Sequence, residues 1–316
     1  MKKIVIDQNT MQSLQKKEFK HTNIEANTKK QEKTILSYNR DLLISVGKGN
    51  GGLFVVNPHT NHITKKYDGI FAGLVKYKDG FMALKQPNEL YILDKKLKLQ
   101  SVKKIGEKSI SGLHDIKLSD DGLIYIVASP QNKIFVYEEK TWKKQAEFIL
   151  STPKKDLHHI NDLFITKNSI LLSMFSKSGG WKGKMPEQWD GAIVEFDRHE
   201  FKPKGTIIDN LTAPHSITMM NNNLYYCDSL NLNVSKFNIS SHKKEVMAQF
   251  TGFTRGLHFD NNILIIGQSK MRHLQGINHR FSNISVDGGI HLYDCDKQIS
   301  RFIKLPVGNP YAIAAY

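Results

Sequence analysis

Residues 112–150 read GLHDIKLSDDGLIYIVASPQNKIFVYEEKTWKKQAEFIL, and this stretch decides the fold. An alternating apolar run, LHDIKL, meets the tight polar turn SDDG and returns as LIYIVAS. Asp and Gly tolerate positive φ, so the turn suits a β-hairpin. A third strand, KIFVYEE, follows, and then a more polar fourth, QAEFIL. Four strands with no helix-period pattern between them make one blade of a propeller.

The same unit recurs along the chain. Hairpins of this kind are GLVKYKDGFMAL, NDLFITKNSILLSMF, HSITMMNNNLYYCDS and GLHFDNNILIIGQS. Third strands follow as LFVVN, ELYILD, AIVEFD, VSKFN and GIHLYD, and fourth strands as KGTII, EVMAQF and SRFIKL. Aligned on the first-strand apolar residue (Leu74, Ile116, Leu163, Ile217, Leu257, Ile313), the units are 42, 47, 54, 40 and 56 residues apart. The C-terminal PYAIAAY reads as an inner strand without a blade, and DLLISVGKGNGGLFVVN near the start as a blade without its inner strand. Joining the two predicts an all-β, six-bladed β-propeller over residues 39–316, closed by a C-terminal velcro strand that leaves no open edge at the seam. Residues 1–38 stand outside the repeat as a basic N-terminal extension. A sandwich or barrel of the same strand density would show neither the four-strand period nor the split blade, and no Gly-His…Trp-Asp repeat marks the WD40 subclass.

Composition agrees. The 316 residues are 40% hydrophobic and 24% charged, which suffices to bury roughly 75% of the unfolded surface. No apolar run reaches the ~20 residues of a membrane-spanning helix. The N-terminus meets Asp7 and further lysines before any apolar core, so it does not read as a secretory signal. Two cysteines, Cys227 and Cys295, make no disulfide framework and no CxxC zinc spacing. A cytoplasmic location is expected. The formal net charge is +15, but the lysines fall in pairs at turns, without aromatic interleaving or a nucleic-acid-binding motif. Acidic small molecules are the expected partners, rather than membranes or nucleic acid.

The expected site lies where the first strands begin, around the central channel. Two residues before each aligned apolar position are Ala72, His114, Asn161, His215, Arg255 and Tyr311, with His159 one step farther out. Polar groups in a narrow channel need partners: water, one another or a ligand. His114, His159 and His215 are candidate ligands for one divalent metal ion of unspecified identity, with Asp228 as a candidate carboxylate. Strict alternation turns Asp115 and Asp162 into the packing between blades, where they would orient the histidines. Without a metal, His215 and His114 are candidate bases and Tyr311 a proton donor, while Asn161 and Arg255 bind substrate. Two long loops extend over the same face. One carries Trp181, Lys182, Lys184 and Trp189; the other carries Lys270, Arg272, His273, His279 and Arg280. Trp181, Lys270 and Arg272 are therefore further candidate substrate-binding residues. The glycine-rich GKGNGG at 47–52 has its lysine misplaced for a phosphate loop and reads as a β-turn.

Pro214-His215-Ser216, Gly252 to Leu257 (GFTRGL) and Ser269-Lys270 with Arg272 have a further significance. Together they resemble a bacterial propeller family catalogued as a domain of unknown function, over about residues 156–300. Met271 stands where the family has proline. The resemblance implies the propeller and a functional neighbourhood at His215, Arg255 and Lys270, and it implies no reaction. The reading that results is an enzyme of lyase, hydrolase or isomerase type acting on an anionic small molecule or sugar derivative. The alternative is a non-catalytic ligand-binding or scaffold propeller.

Overall fold

The computed structural model describes residues 2–5, 38–151, 156–271 and 283–316. After β1 (Lys2–Val5), the ring begins at Tyr38 and Arg40. Both reach the Asp260 carboxylate, Tyr38 through its hydroxyl at 2.9 Å and Arg40 through Nη1 at 3.0 Å.

Six four-stranded antiparallel sheets follow. The first contains β2 (Leu42–Val46), β3 (Gly52–Asn57) and β4 (His62–Asp68). The second runs through β5 (Phe71–Tyr77), β6 (Gly80–Lys85), β7 (Glu89–Leu93) and β8 (Leu99–Lys104). In the third are β9 (Leu113–Leu118), β10 (Leu123–Ala128), β11 (Lys133–Glu138) and β12 (Lys144–Ile149). The fourth has β13 (Ile160–Ile165), β14 (Ser169–Met174), β15 (Gly191–Asp197) and β16 (Pro203–Leu211). The fifth has β17 (Pro214–Met220), β18 (Asn223–Asp228), β19 (Asn233–Asn238) and β20 (Lys244–Gln249). The sixth has β21 (Phe253–Asp260), β22 (Ile263–Ser269), β23 (Gly289–Asp294) and β24 (Ile299–Lys304). The last strand, β25 (Pro310–Ala315), pairs antiparallel with β2 and supplies the inner strand of the first sheet. The strands β5, β9, β13, β17, β21 and β25 each contact the next, and β25 contacts β5, so the circle is complete. All six aligned apolar residues fall on these inner strands. β1 adds in parallel to the outer edge of β12, which makes that blade five-stranded.

The core lies between blades rather than at the axis. Sheet faces alternate, and each inward apolar set meets that of the next blade. Between the third and fourth, Ile134, Phe148, Leu172 and Phe196 are buried in one cluster with Phe201. The Phe201 ring stacks on Phe148 at 4.3 Å and on Phe196 at 4.7 Å.

The alternation breaks at one level of every inner strand. Ala72 and Gly73 together oppose one residue of β6, and His114 with Asp115 oppose one of β10. The same shift occurs at Asn161–Asp162, Ser216–Ile217, Arg255–Gly256 and Tyr311. These are β-bulges, which turn consecutive side chains toward the same side of a strand. They correct the placement of Asp115 and Asp162. Both line a small chamber of about 60 Å³ in the channel, with Lys117, Ser216 and Tyr311, instead of lying in the packing behind the histidines.

Bulge side chains also link one inner strand to the next. Asp115 Oδ2 accepts from Leu163 N–H at 3.0 Å, and Ser216 Oγ accepts from Gly256 N–H at 2.7 Å. Asn161 Nδ2 donates to Pro214 O at 3.4 Å. Glycine is required at Gly73, where a Cβ would stand 2.7 Å from the backbone nitrogen of Ile116 in the next blade.

Candidate active site

Above the bulges the channel widens into a cavity of about 420 Å³. His114, His159 and His215 line it together with Arg255, Tyr311 and Lys48. Phe175, Trp181, Trp189 and Phe253 form the aromatic part of its wall, and Ala213 completes it. Five of the expected channel and loop residues thus meet in one space with His159: His114, His215, Arg255, Tyr311 and Trp181.

Ring contacts run around the wall. His114 lies 6.1 Å from Tyr311 and 5.3 Å from His159. His159 packs on Phe175 at 4.3 Å and on Trp181 at 4.6 Å. Phe175 meets His215 at 5.3 Å, and His215 meets Phe253 at 5.2 Å. Two residues on, the Arg255 guanidinium lies over Tyr311 with its carbon 3.3 Å from the ring centre.

Each imidazole is held by its Nδ1. The partner of His114 is the carbonyl of Gly112 at 2.8 Å, two residues back. That of His215 is the carbonyl of Ala213 at 2.9 Å, with Ser229 Oγ at the same distance. Ser229 donates its own proton to Thr254 O at 2.6 Å. His159 turns Nδ1 to Asp156 Oδ2 at 2.9 Å. A carbonyl or carboxylate only accepts, so in each ring Nδ1 carries the proton and Nε2 the lone pair.

Electrostatics keep these rings neutral. Burial first, and then the charges of His159 and Arg255, hold His114 well below the usual 6.5. His215 is lowered in the same way, by burial, Arg255 and His159. His159 is lowered by burial and by Arg255 and Lys182, while the Asp156 carboxylate works in the opposite direction. Asp156 is lowered: burial would raise it, but His159 and Lys182 outweigh that. Lys182 approaches its Oδ2 at 3.2 Å, and Trp181 Nε1 donates to its backbone carbonyl at 2.9 Å. The loop between β14 and β15 is thereby tied to the residue that orients His159.

Other expected residues lie elsewhere. Asn161 is wholly buried and does not line the cavity; its Nδ2 donates to His159 O at 3.0 Å and to Pro214 O. Lys270 is exposed at the end of β22, where its N–H donates to Gly308 O at 2.7 Å, and it is not among the lining residues. Asp228 is buried, accepting from Thr212 N–H at 2.8 Å and Asn231 Nδ2 at 2.9 Å, and is not among the residues that line the cavity. Arg272, His273, His279 and Arg280 lie outside the described residues. Among the described residues, no group of three or more His, Cys, Asp or Glu side chains is arranged to hold a metal ion.

Sequence reading missed Lys48, Phe175 and Asp156. Lys48 sits in the GKGNGG turn, which joins β2 to β3 and therefore opens onto this face as the long loops do. Its position between those strands was the available signal. Asp156 precedes β13 with no periodic mark.

No helix among the described residues is long and apolar enough to cross a membrane. No curated protein matches the sequence. Among 1099 similar solved chains is one from the crystal structure of a nidogen/laminin complex. It aligns with a TM-score of 0.60 over 87% of this chain and 97% of that one, at 11% identity, which shows the six-bladed propeller and nothing of function. A family described as "Domain of unknown function (DUF4915)" matches residues 105–300, which include His114, His159, His215 and Arg255, and the chain belongs to that family.

Proposed function

We propose that this propeller is an enzyme that moves protons on an anionic small molecule or sugar derivative bound at the channel mouth, by a lyase, hydrolase or isomerase type of reaction. One observation carries the reading. His159 has a carboxylate behind Nδ1, 2.9 Å away, while its ring lines a cavity that also holds a guanidinium. An ionised Asp156 fixes the tautomer and stabilises the imidazolium that forms when Nε2 takes a proton. His159 is the general base, and Asp156 is its positioning residue.

Arg255 supplies the charge that draws an anion in, and the anion in turn changes the imidazoles. Neutralising the guanidinium weakens the repulsion that holds His114, His159 and His215 down. Substrate binding thus brings the base toward the working range of pH. Tyr311, beneath Arg255, is the proton donor on the opposite wall. His114 and His215 offer Nε2 lone pairs to substrate hydroxyls. Two cysteines without a disulfide fit a reducing, cytoplasmic setting.

The test is proton exchange in D2O, followed by NMR over a panel of sugar acids and sugar phosphates. The wild type is expected to introduce deuterium or to form product. H159N should abolish this, and D156N should lower the rate on the order of 100-fold. Equal exchange by wild type and H159N would overturn the assignment and leave a ligand-binding propeller.

A further inference from the structure

We infer that the ligand of this cavity is one molecule with two ends, a hydroxylated ring carrying a phosphate or carboxylate, and that it lies in a fixed direction across the channel. The inference rests on the cavity being the functional site, but not on any proton being moved there.

The two ends of the cavity differ in chemistry. At one, Gly47 packs so closely on Tyr311 that an added Cβ would stand 2.6 Å from the ring. Lys48 is the next residue along the chain, and Arg255 is stacked on the same tyrosine at 3.3 Å. Lys48 and Arg255 both line the cavity and give this end its positive charge. None of the described lining residues is a carboxylate. Two carboxylates stand behind the wall: Asp156, matched by Lys182 at 3.2 Å, and the buried Asp162, which the Arg255 charge reaches. A planar guanidinium beside a point-charge ammonium suits a phosphate or carboxylate.

At the other end the lining side chains are aromatic, with the Lys182 ammonium, paired to Asp156, 5.5 Å from the Trp181 ring centre. Trp189 stacks on Phe175 at 5.2 Å, and Trp181 stands edge-on to Trp189 at 5.5 Å. The Trp181 orientation is held by its Nε1 bond to Asp156 O. Such a surface takes the apolar face of a ring.

Between the ends stand the three imidazoles. Every Nδ1–H is already given to an oxygen, so each ring presents an acceptor. An acceptor lone pair repels the oxygens of an anion and attracts hydroxyl protons. This excludes the anionic group from the middle of the cavity and places hydroxyls there. Anion at Lys48 and Arg255, hydroxyls at the histidines, ring on Trp181: a sugar phosphate or sugar acid satisfies all three, and a bare anion or neutral sugar only part.

The experiment is calorimetric titration of the full chain with a panel of hexose phosphates, hexuronates, their neutral parent hexoses and inorganic phosphate. At least one charged sugar is expected to bind tenfold or more tighter than both its neutral parent and inorganic phosphate. Phosphates and hexuronates, as separate arms, identify the anion. K48A, on an exposed turn, and R255Q should each weaken the charged sugar tenfold or more and leave the neutral parent unchanged. W181A should weaken both sugars and leave inorganic phosphate unchanged. Equal binding of charged and neutral sugars, no saturable binding of any charged sugar, or K48A affecting both alike overturns the inference. H159N and D156N separate it from the proton-transfer reading: if binding follows this pattern while exchange is indifferent to His159, only that reading falls.

Discussion

The Arg255 guanidinium lies on the Tyr311 ring, 3.3 Å from its centre, at the level where each inner strand bulges. The stack joins the last strand of the chain to the sixth blade and holds a permanent charge beside neutral imidazoles. After burial, Arg255 is the largest cause of the low basicity of His215. R255M is therefore expected to raise the titration of His215 and His114 toward 6.5. Histidine ring NMR across pH 4–8 checks the direction; a fall, or no movement, would contradict it.

Asn161 holds two carbonyls, His159 O and Pro214 O, on neighbouring blades. N161A leaves both without this donor in a buried place, at a cost of about 1–3 kcal/mol. Denaturant unfolding should show that loss. Ligand affinity should stay unchanged, because the side chain does not line the cavity.

Gly73 lets β5 approach β9 at the level of His114. In G73A the new methyl would meet Ile116 N at 2.7 Å and Asp115 C at 2.8 Å, both backbone atoms that no rotamer change can move. A loss of about 1–3 kcal/mol is expected, together with a shifted His114 ring signal. G73A stability equal to wild type would mean that the blades separate freely there.

Two buried groups give stability opposite dependences on pH. His291 is pushed down by burial from 6.5 to about 4. The unfolded chain therefore takes up its proton first, and stability is lost as pH falls from 6.5 to about 4, by about 3 kcal/mol for the full shift. Asp162 is raised from 3.8 to about 6 by burial and the neighbouring Asp115. Its ionisation destabilises the folded protein as pH rises from 3.8 to about 6, and the whole cost is present above that. H291F should flatten the decline in Tm below pH 6.5, and D162N should raise Tm by a few degrees at pH 7.5 and little at pH 4. Thermal scans at one heating rate measure both.

The blades were legible because a half-buried strand announces itself locally. In GLHDIKLSDDGLIYIVAS, side chains two apart share a face, so burying one face writes the period into the residues, and Asp, Asn and Gly mark the turns. The unpaired β25 could be assigned to β2 for the same reason: an inner strand at one end matched a missing one at the other. His114, His215, Arg255 and Tyr311 followed from counting along those strands. The bulges did not, because a register shift depends on what the partner strand presents, and strict alternation misplaced Asp115 and Asp162. Asn161 occupied the right level but was consumed by the carbonyls of its own and the next blade. Phe175 closes the fourth hairpin and Asp156 lies three residues before His159, so both reach it within one blade, yet neither sits at a position the strand count marks; Lys48 comes from the turn of another blade, and closure of the ring brings it to the cavity. Periodicity is a property of one strand, and chain order alone fixed the blades; the cavity is a property of six strands meeting, and its contents were decided by which loops and which bulged residues the ring turned inward.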